Sequence, residues 1–407
     1  MWIVRFFAAN APFLTAGMLL AFSSSWGQTY FISLFADQIM TEIGISDAVW
    51  GLTYMCATMV SAAVMVWAGT LTDQFRARAI LIVVLPGLAL ACVGMSVNGT
   101  LVGLFVLIFC LRVFGQGMLS QLAIVSMARW FVASRGLALS FATLGYSIGN
   151  AILPFLFVSA LAYITWRQSW LVAAALCLIA VPILWSLLKA ERTPQSVADS
   201  NEETGMQGRH WTRAEMVRHP LFWFLVPMIL AVPAWGTVLF FQQVHFVDVK
   251  GWSLAAFTAL FPAYVVTAIV TTFVSGSVID RFGASVMMRI WPFPWAAGFA
   301  VLAVAPSLPV AAVALIFCGI GQGIGANAST SFLSEVYGTR HLGGIKAVST
   351  ALMVLGSALG PGLTGALITW GIGIEWQYSA IAVHFLISAA LLWIGLSLVP
   401  RYSAVAP

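Results

Sequence analysis

Charge is what this chain has least of. Only 8% of its 407 residues are Asp, Glu, Lys or Arg, against 61% hydrophobic. A soluble domain carries roughly a quarter charged residues, so a soluble globular fold is excluded. The polar residues are not pooled into one domain either. The longest polar stretch, about 189–220, is too short for a soluble catalytic unit. Cysteine is scarce: Cys56, Cys92, Cys110, Cys177 and Cys318 all lie in apolar segments, with no C-x-x-C pair. That argues against a disulfide framework or a zinc site and in favour of buried free thiols. There is no G-x-x-x-x-G-K phosphate loop, no buried His pair for haem and no nucleophile constellation, so neither an ATP-driven machine nor an enzyme is expected, and no cofactor. No small-residue cleavage site follows the first apolar stretch, which reads as a span and not as a cleavable signal peptide. Finally, no carboxylate falls at the middle of an apolar segment; Asp37, Asp248 and Glu335 lie near ends.

What is present is apolar sequence in long runs. A helix needs ~20 apolar residues to cross a bilayer. Twelve such segments are legible, at about 12–35, 48–70, 79–97, 100–127, 136–161, 168–188, 221–244, 254–277, 286–305, 308–334, 343–370 and 377–399. They predict an all-α membrane protein. The polar stretch divides it into a six-helix bundle over 1–190, a cytoplasmic linker over 191–219 and a second six-helix bundle over 220–407.

The halves repeat. Gly69-Thr70-Leu71-Thr72-Asp73 is followed by Arg76 and Arg78, and Gly276-Ser277-Val278-Ile279-Asp280 by Arg281. Asp73 and Asp280 are 207 residues apart, Gly115 and Gly321 are 206 apart, and Gly149 and Gly360 are 211 apart. Near-constant offsets over three landmarks point to duplication. In each hydrophilic turn, Gly lets a helix end lie close to a neighbour, and Asp can cap the positive N-terminus of a facing helix. The plainer reading is a charged turn that only fixes topology. The net charge of +5 would suggest nucleic acid in a soluble protein, but the placement of the cations explains it instead. Fifteen of the eighteen Lys and Arg fall on one side of the expected spans, two (Arg167 and Lys250) on the other, and Arg112 within a span. The positive-inside rule then sets both termini in the cytoplasm.

Arg112 is the leading candidate for function. About a dozen apolar residues precede it, and a charge at mid-membrane costs ~2.5–3.5 kcal/mol, so it should face a cavity, a partner or a substrate. Gln116 follows one turn later on the same face. A guanidinium grips a carboxylate with two parallel bonds, which makes this an anion site; a structural arginine bonded to carbonyls is the competing reading. Segment 1 carries Ser23-Ser24-Ser25-Trp26-Gly27-Gln28-Thr29-Tyr30. It reads as cavity-lining, with Gln28 and Tyr30 as contacts, or as helix packing. Further candidates are Tyr146 in segment 5, Gln242 in segment 7 (with Trp235, Gln243 and His245 nearby) and Asn327 in segment 10. One soft-metal pattern, Met55-Cys56-Ala57-Thr58-Met59, suits Cu(I) but is ordinary filler in a chain with 15 Met.

The Gly69–Arg78 turn and its repeat resemble the loops between helices 2 and 3, and 8 and 9, of major facilitator superfamily transporters. The run R-x-x-x-Q-G at Arg112, Gln116 and Gly117 resembles that superfamily's segment-4 motif. Trp130-Phe131, Arg135, Leu137-Ala138, Ala142, Gly145 and Gly149 resemble the segment-5 signature of monocarboxylate transporters. Ser25-Trp26-Gly27 is similar to the core of that family's segment-1 signature, departing from it at Ser23, Ser24 and Gln28. The resemblance implies two parallel six-helix repeats, working as a monomer in a bacterial inner (plasma) membrane. It implies alternating-access transport of a small organic anion, expected to be a monocarboxylate and open to proton coupling. Gly69, Asp73, Arg76, Arg78, Gly276, Asp280 and Arg281 then act in conformational gating. A copper importer of the same fold, a drug or metabolite exporter and a non-transporting sensor stand as alternatives.

Overall fold

Backbone groups inside an apolar run have no water to bond and must bond within the chain. The computed structural model accordingly shows helices and no strands among the residues it describes, 2–68, 71–130, 135–189, 205–338 and 342–397. Eleven helices in this set are long and apolar enough to cross a membrane. They match eleven of the twelve expected segments. Segment 1 is the exception because it is helical in pieces. Trp2–Ser23 has a non-helical Asn10, and beyond Ser23 come the turn Ser24–Gly27 and the short helices Thr29–Ile32 and Ala36–Ile43.

Backbone contacts divide the chain into two units, Met1–Ser200 with Phe240–His245, and Asn201–Leu239 with Phe246–Pro407. In the first, Trp2–Ser23 packs along Arg135–Ala160, and Ala77–Val97 along Trp166–Leu187. Segments 1 and 5 touch backbone to backbone, since any Cβ at Gly145 would strike the Met18 carbonyl. Small residues allow this closeness, and dispersion at short range holds helices together where lipid supplies no hydrophobic drive. Trp26 anchors the pieces of segment 1 in an aromatic cluster with Phe31, Phe157 and Trp170.

In the second unit, Phe261–Phe282 packs on Leu308–Tyr337, and Pro292–Val304 on Ile374–Ser397. The repeated turn ends at Gly283, whose φ of 82° and ψ of 158° suit glycine alone. The helix that follows, Ala284–Ile290, has its first N–H capped by Glu335 (2.8 Å). Residues 205–219, read from sequence as linker, are folded in this unit. Thr212 and Glu215 form a capping box on Arg213–Arg218, and the Trp211 N–H donates to the Tyr337 carbonyl (2.9 Å).

Candidate functional site

Segment 1 breaks where its sequence turns polar. The Ser24 hydroxyl donates to the Ala21 carbonyl (2.6 Å), competing with the helical ladder, and Gly27 is a poor helix former. Gln28 is extended (φ −87°, ψ 151°), and the Phe31 N–H bonds the Gln28 carbonyl, not that of Gly27. The Gly27 carbonyl is thereby released from the helix.

Segment 4 answers this break. Its α-helix Leu101–Leu111 gives way to a π-helical stretch, Arg112–Leu119, a local widening often found at functional sites. Gly27 and Gly115 bring the two irregular stretches into backbone contact: a Cβ on Gly115 would lie 2.7 Å from the Gly27 Cα. This approach sets Arg112, the first π-helical residue, beside the break. Its side chain is buried, with residue exposure of 2%. Nη1–H donates to the released Gly27 carbonyl and to the Thr29 hydroxyl, both at 3.4 Å, which is long for a charged donor. Nε has no hydrogen-bond partner, and no described carboxylate pairs with the group.

Neutral oxygens surround the cation. Tyr54 of segment 2 presents its ring 5.4 Å from the guanidinium carbon, and its hydroxyl shares a 2.6 Å hydrogen bond with that of Thr29. Tyr146 lies within electrostatic reach of Arg112 and packs edge-on against Tyr30 (5.8 Å). The Tyr30 hydroxyl donates to Ser25 Oγ (2.8 Å), and a Cβ at Gly149 would fall 3.0 Å from that phenol oxygen. Gln243 donates from Nε2 to Ser33 Oγ (2.8 Å) and to the Tyr30 carbonyl (3.3 Å). The arrangement can bind one anionic group through Arg112 and offer hydroxyls around it.

Arg112, Tyr30 and Tyr146 therefore come together as candidates. Gln28 is buried with its amide 3.4 Å from Ser24 Oγ, and Gln116 is half-buried in the π-helical stretch. Gln242 is buried in the first unit, but it is its neighbour Gln243 that bonds Tyr30. Asn327 belongs to the second unit, where its amide donates to the Thr272 carbonyl (2.8 Å) and ties segment 10 to segment 8. Of the turn residues, Gly69 lies outside the described residues. Asp73 falls in the short helix Leu71–Gln74 and Asp280 in Phe261–Phe282, with nothing described of their side chains. Arg76 is exposed, Arg78 stacks 3.5 Å over Trp185, Arg281 lies 5.2 Å from the Phe282 ring, and Gly276 faces the Asn327 amide. Tyr54 escapes the sequence reading, since a lone tyrosine in an apolar segment looks like packing; Ser25 and Thr29 lie in the stretch read there as cavity-lining but are not singled out as contacts. Of the soft-metal pattern, Cys56 and Met59 are exposed.

The Major Facilitator Superfamily model matches residues 17–265 and 234–406. The hexuronate transporter of Escherichia coli K12 is 23% identical over 296 residues, which is 65% of this chain and 66% of that protein. The chain thus aligns with just under two thirds of that relative's length. A probable sulfoacetate transporter, SauU of Cupriavidus necator, is 29% identical over 160 residues, 39% of this chain and 36% of its own. Among solved structures, a bacterial homologue of the human lysosomal transporter Spinster has a TM-score of 0.72 at 18% identity, covering 96% of this chain and 97% of its own. The nucleoside transporter NupG has a TM-score of 0.73 at 13% identity, covering 95% and 98%. At these identities the solved structures establish a shared fold.

Proposed function

Because the chain belongs to the Major Facilitator Superfamily, and the curated relatives it matches are transporters rather than enzymes, we propose that it carries a small organic anion across the membrane. Arg112 is the residue that grips the anionic group. The observation that supports this most is a buried guanidinium with long hydrogen bonds, an unpartnered Nε and no described carboxylate beside it. A carboxylate accepting two parallel N–H bonds satisfies that group better than a carbonyl at 3.4 Å does. Thr29, Tyr54 and Tyr146 supply hydroxyls that can donate at the edge of the anion. The names of the hexuronate and sulfoacetate relatives agree with an anionic cargo.

The finer reading is a monocarboxylate, since Arg112 is the one cation the sequence sets inside a span. Proton symport completes it. Each uncompensated charge moved costs or yields about 2.3 kcal/mol per 100 mV, and an accompanying proton removes that dependence. The paired turns, with Gly69, Asp73, Arg76, Arg78, Gly276, Asp280 and Arg281, are assigned to switching between states, with Gln242 as a further contact and both termini in the cytoplasm. Uptake into proteoliposomes tests the proposal. D-glucuronate or lactate should enter vesicles bearing the wild type, glucose should not, and Arg112→Gln should abolish the carboxylate flux. Equal carboxylate flux in Arg112→Gln and wild type would put the anion elsewhere.

A further inference from the structure

Both halves contain a hinged end piece whose charged last turn the anion site does not use. Segment 1 ends in an eight-residue helix, Ala36–Ile43, set off by the turn Ser33–Phe35. Segment 7 ends in an eight-residue helix, Gln243–Lys250, set off from Pro220–Phe241 by a bend at Gln242. Starts and ends of the two pieces are each 207 residues apart. Each piece carries a charge in its last turn, and that charge pairs with the first turn of the last helix in its half. Glu42 pairs with Arg167 of Trp166–Leu187, and Lys250 pairs with Glu375 of Ile374–Ser397 (2.9 Å). Glu42 and Lys250 are 208 residues apart, as are Arg167 and Glu375, so the two pairs are repeat equivalents with their signs interchanged.

The third partner is not interchanged. In each half the cation, whichever helix supplies it, also bonds a carbonyl at the end of the third helix of that half. Arg167 donates to the Ser96 carbonyl and to that of Asn98, both at 2.8 Å. Lys250 donates to the Ala303 carbonyl (3.4 Å), 207 residues beyond Ser96. A helix C-terminus favours a cation, and either side chain satisfies that demand. Acid and base are therefore free to trade places, provided one cation reaches the carbonyl.

We propose that Glu42, Arg167, Lys250 and Glu375 are positioning residues of transport. Each pair braces the end piece of segment 1 or 7 within its own half, so that bending is confined to the breaks at Ser24–Gln28, Ser33–Phe35 and Gln242. This rests on the transport reading above. The partners are part-exposed, at 29% and 44% for Arg167 and Glu42 and 13% and 43% for Lys250 and Glu375. Exposed pairs are weak, so each brace can hold the piece in one state and release it in another.

The test uses the full chain, with hydrogen exchange in detergent and D-glucuronate uptake in proteoliposomes. Glu42→Gln, a mild change at an exposed carboxylate, should speed amide exchange across residues 36–43 by about threefold or more while leaving 84–92 unchanged. The same variant should alter Vmax with KM held within about twofold. The single changes Glu42→Lys and Arg167→Glu should each loosen the piece, and the two combined should restore both exchange and Vmax, because the combination reproduces the second half's arrangement. Lys250→Gln gives the parallel reading on 243–250 should an Arg167 variant fail to fold. A combined variant no better protected than the singles overturns the brace. Wild-type Vmax in Glu42→Gln, with exchange accelerated, overturns the positioning role. A wild type that takes up neither D-glucuronate nor lactate counts against the transport reading and the role resting on it, while exchange still decides whether the brace exists.

Discussion

Replacing Gly115 with alanine tests the contact that sets Arg112 in place. The added Cβ would lie 2.7 Å from the Gly27 Cα, 2.8 Å from its nitrogen and 3.3 Å from the Ser24 carbonyl oxygen. All three are backbone atoms and cannot rotate aside. Carbon contacts settle near 3.5–4.0 Å, so segments 1 and 4 must part by about 1 Å. Overpacking of this kind costs ~1–3 kcal/mol. At ~2–4 °C per kcal/mol for a unit of this size, Tm should fall by roughly 2–12 °C. The separation also lengthens the Arg112 bonds to Gly27 and Thr29, already 3.4 Å, past useful hydrogen-bond range. Gly117→Ala is the control two residues away, because there the Cβ would meet the Met65 side chain, with Sδ at 2.5 Å, Cγ at 2.9 Å and Cε at 3.1 Å. That side chain can move, so the cost should stay below ~1 kcal/mol. Thermal unfolding in detergent and carboxylate binding by titration calorimetry read both variants. Equal Tm for Gly115→Ala and Gly117→Ala, or wild-type affinity in Gly115→Ala, would refute the reasoning.

Three further outcomes follow. Tyr54→Phe keeps the ring near Arg112 but removes the 2.6 Å bond to Thr29, so carboxylate Kd should rise about three- to tenfold with the fold intact, as calorimetry would report. Gly283→Ala forces a side chain to φ 82°, ψ 158° and should cost ~1–3 kcal/mol, read as a lowered Tm with carboxylate Kd unchanged. Burial and the nearby Arg209 hold the His219 imidazole below its ordinary value of 6.5, so the native state binds its proton less readily than the unfolded chain. Stability of residues 211–221 should therefore be intact above pH 6.5 and decline as pH falls below it; hydrogen exchange corrected for intrinsic rate at pH 7.5 and 5.5 would check this.

The helical architecture was readable because spanning a membrane writes length and composition directly into sequence. Arg112 stood out for the same reason, as a cation in an apolar run. What the string of residues hides is register between segments. Nothing local marks Tyr54 or Thr29 as neighbours of Arg112, since one sits in segment 2 and the other just past a break. The break itself was visible only as a cluster of serines around Trp26 and Gly27, which fits packing as well as unwinding. The π-helical stretch at Arg112–Leu119 has no composition of its own. Asn327 looked like a contact by type, yet its amide is taken by the Thr272 carbonyl. The Glu42–Arg167 and Lys250–Glu375 pairs share an offset of 208 residues, but their signs are swapped, so a search for repeated residues passes over them.

The central claim is that Arg112 receives the anionic group of the substrate, and ligand-induced stabilisation tests it most directly. Wild type, Arg112→Lys and Arg112→Gln are unfolded thermally with D-glucuronate and with D-glucuronamide, and with lactate and lactamide. A ligand that binds the native state raises Tm by mass action. The carboxylates should stabilise wild type and the amides should not. Arg112→Lys keeps the charge and loses the fork, so its carboxylate shift should shrink without vanishing. Arg112→Gln should fold and show no carboxylate shift. A well-folded Arg112→Gln that carboxylates stabilise as they do wild type would contradict the account.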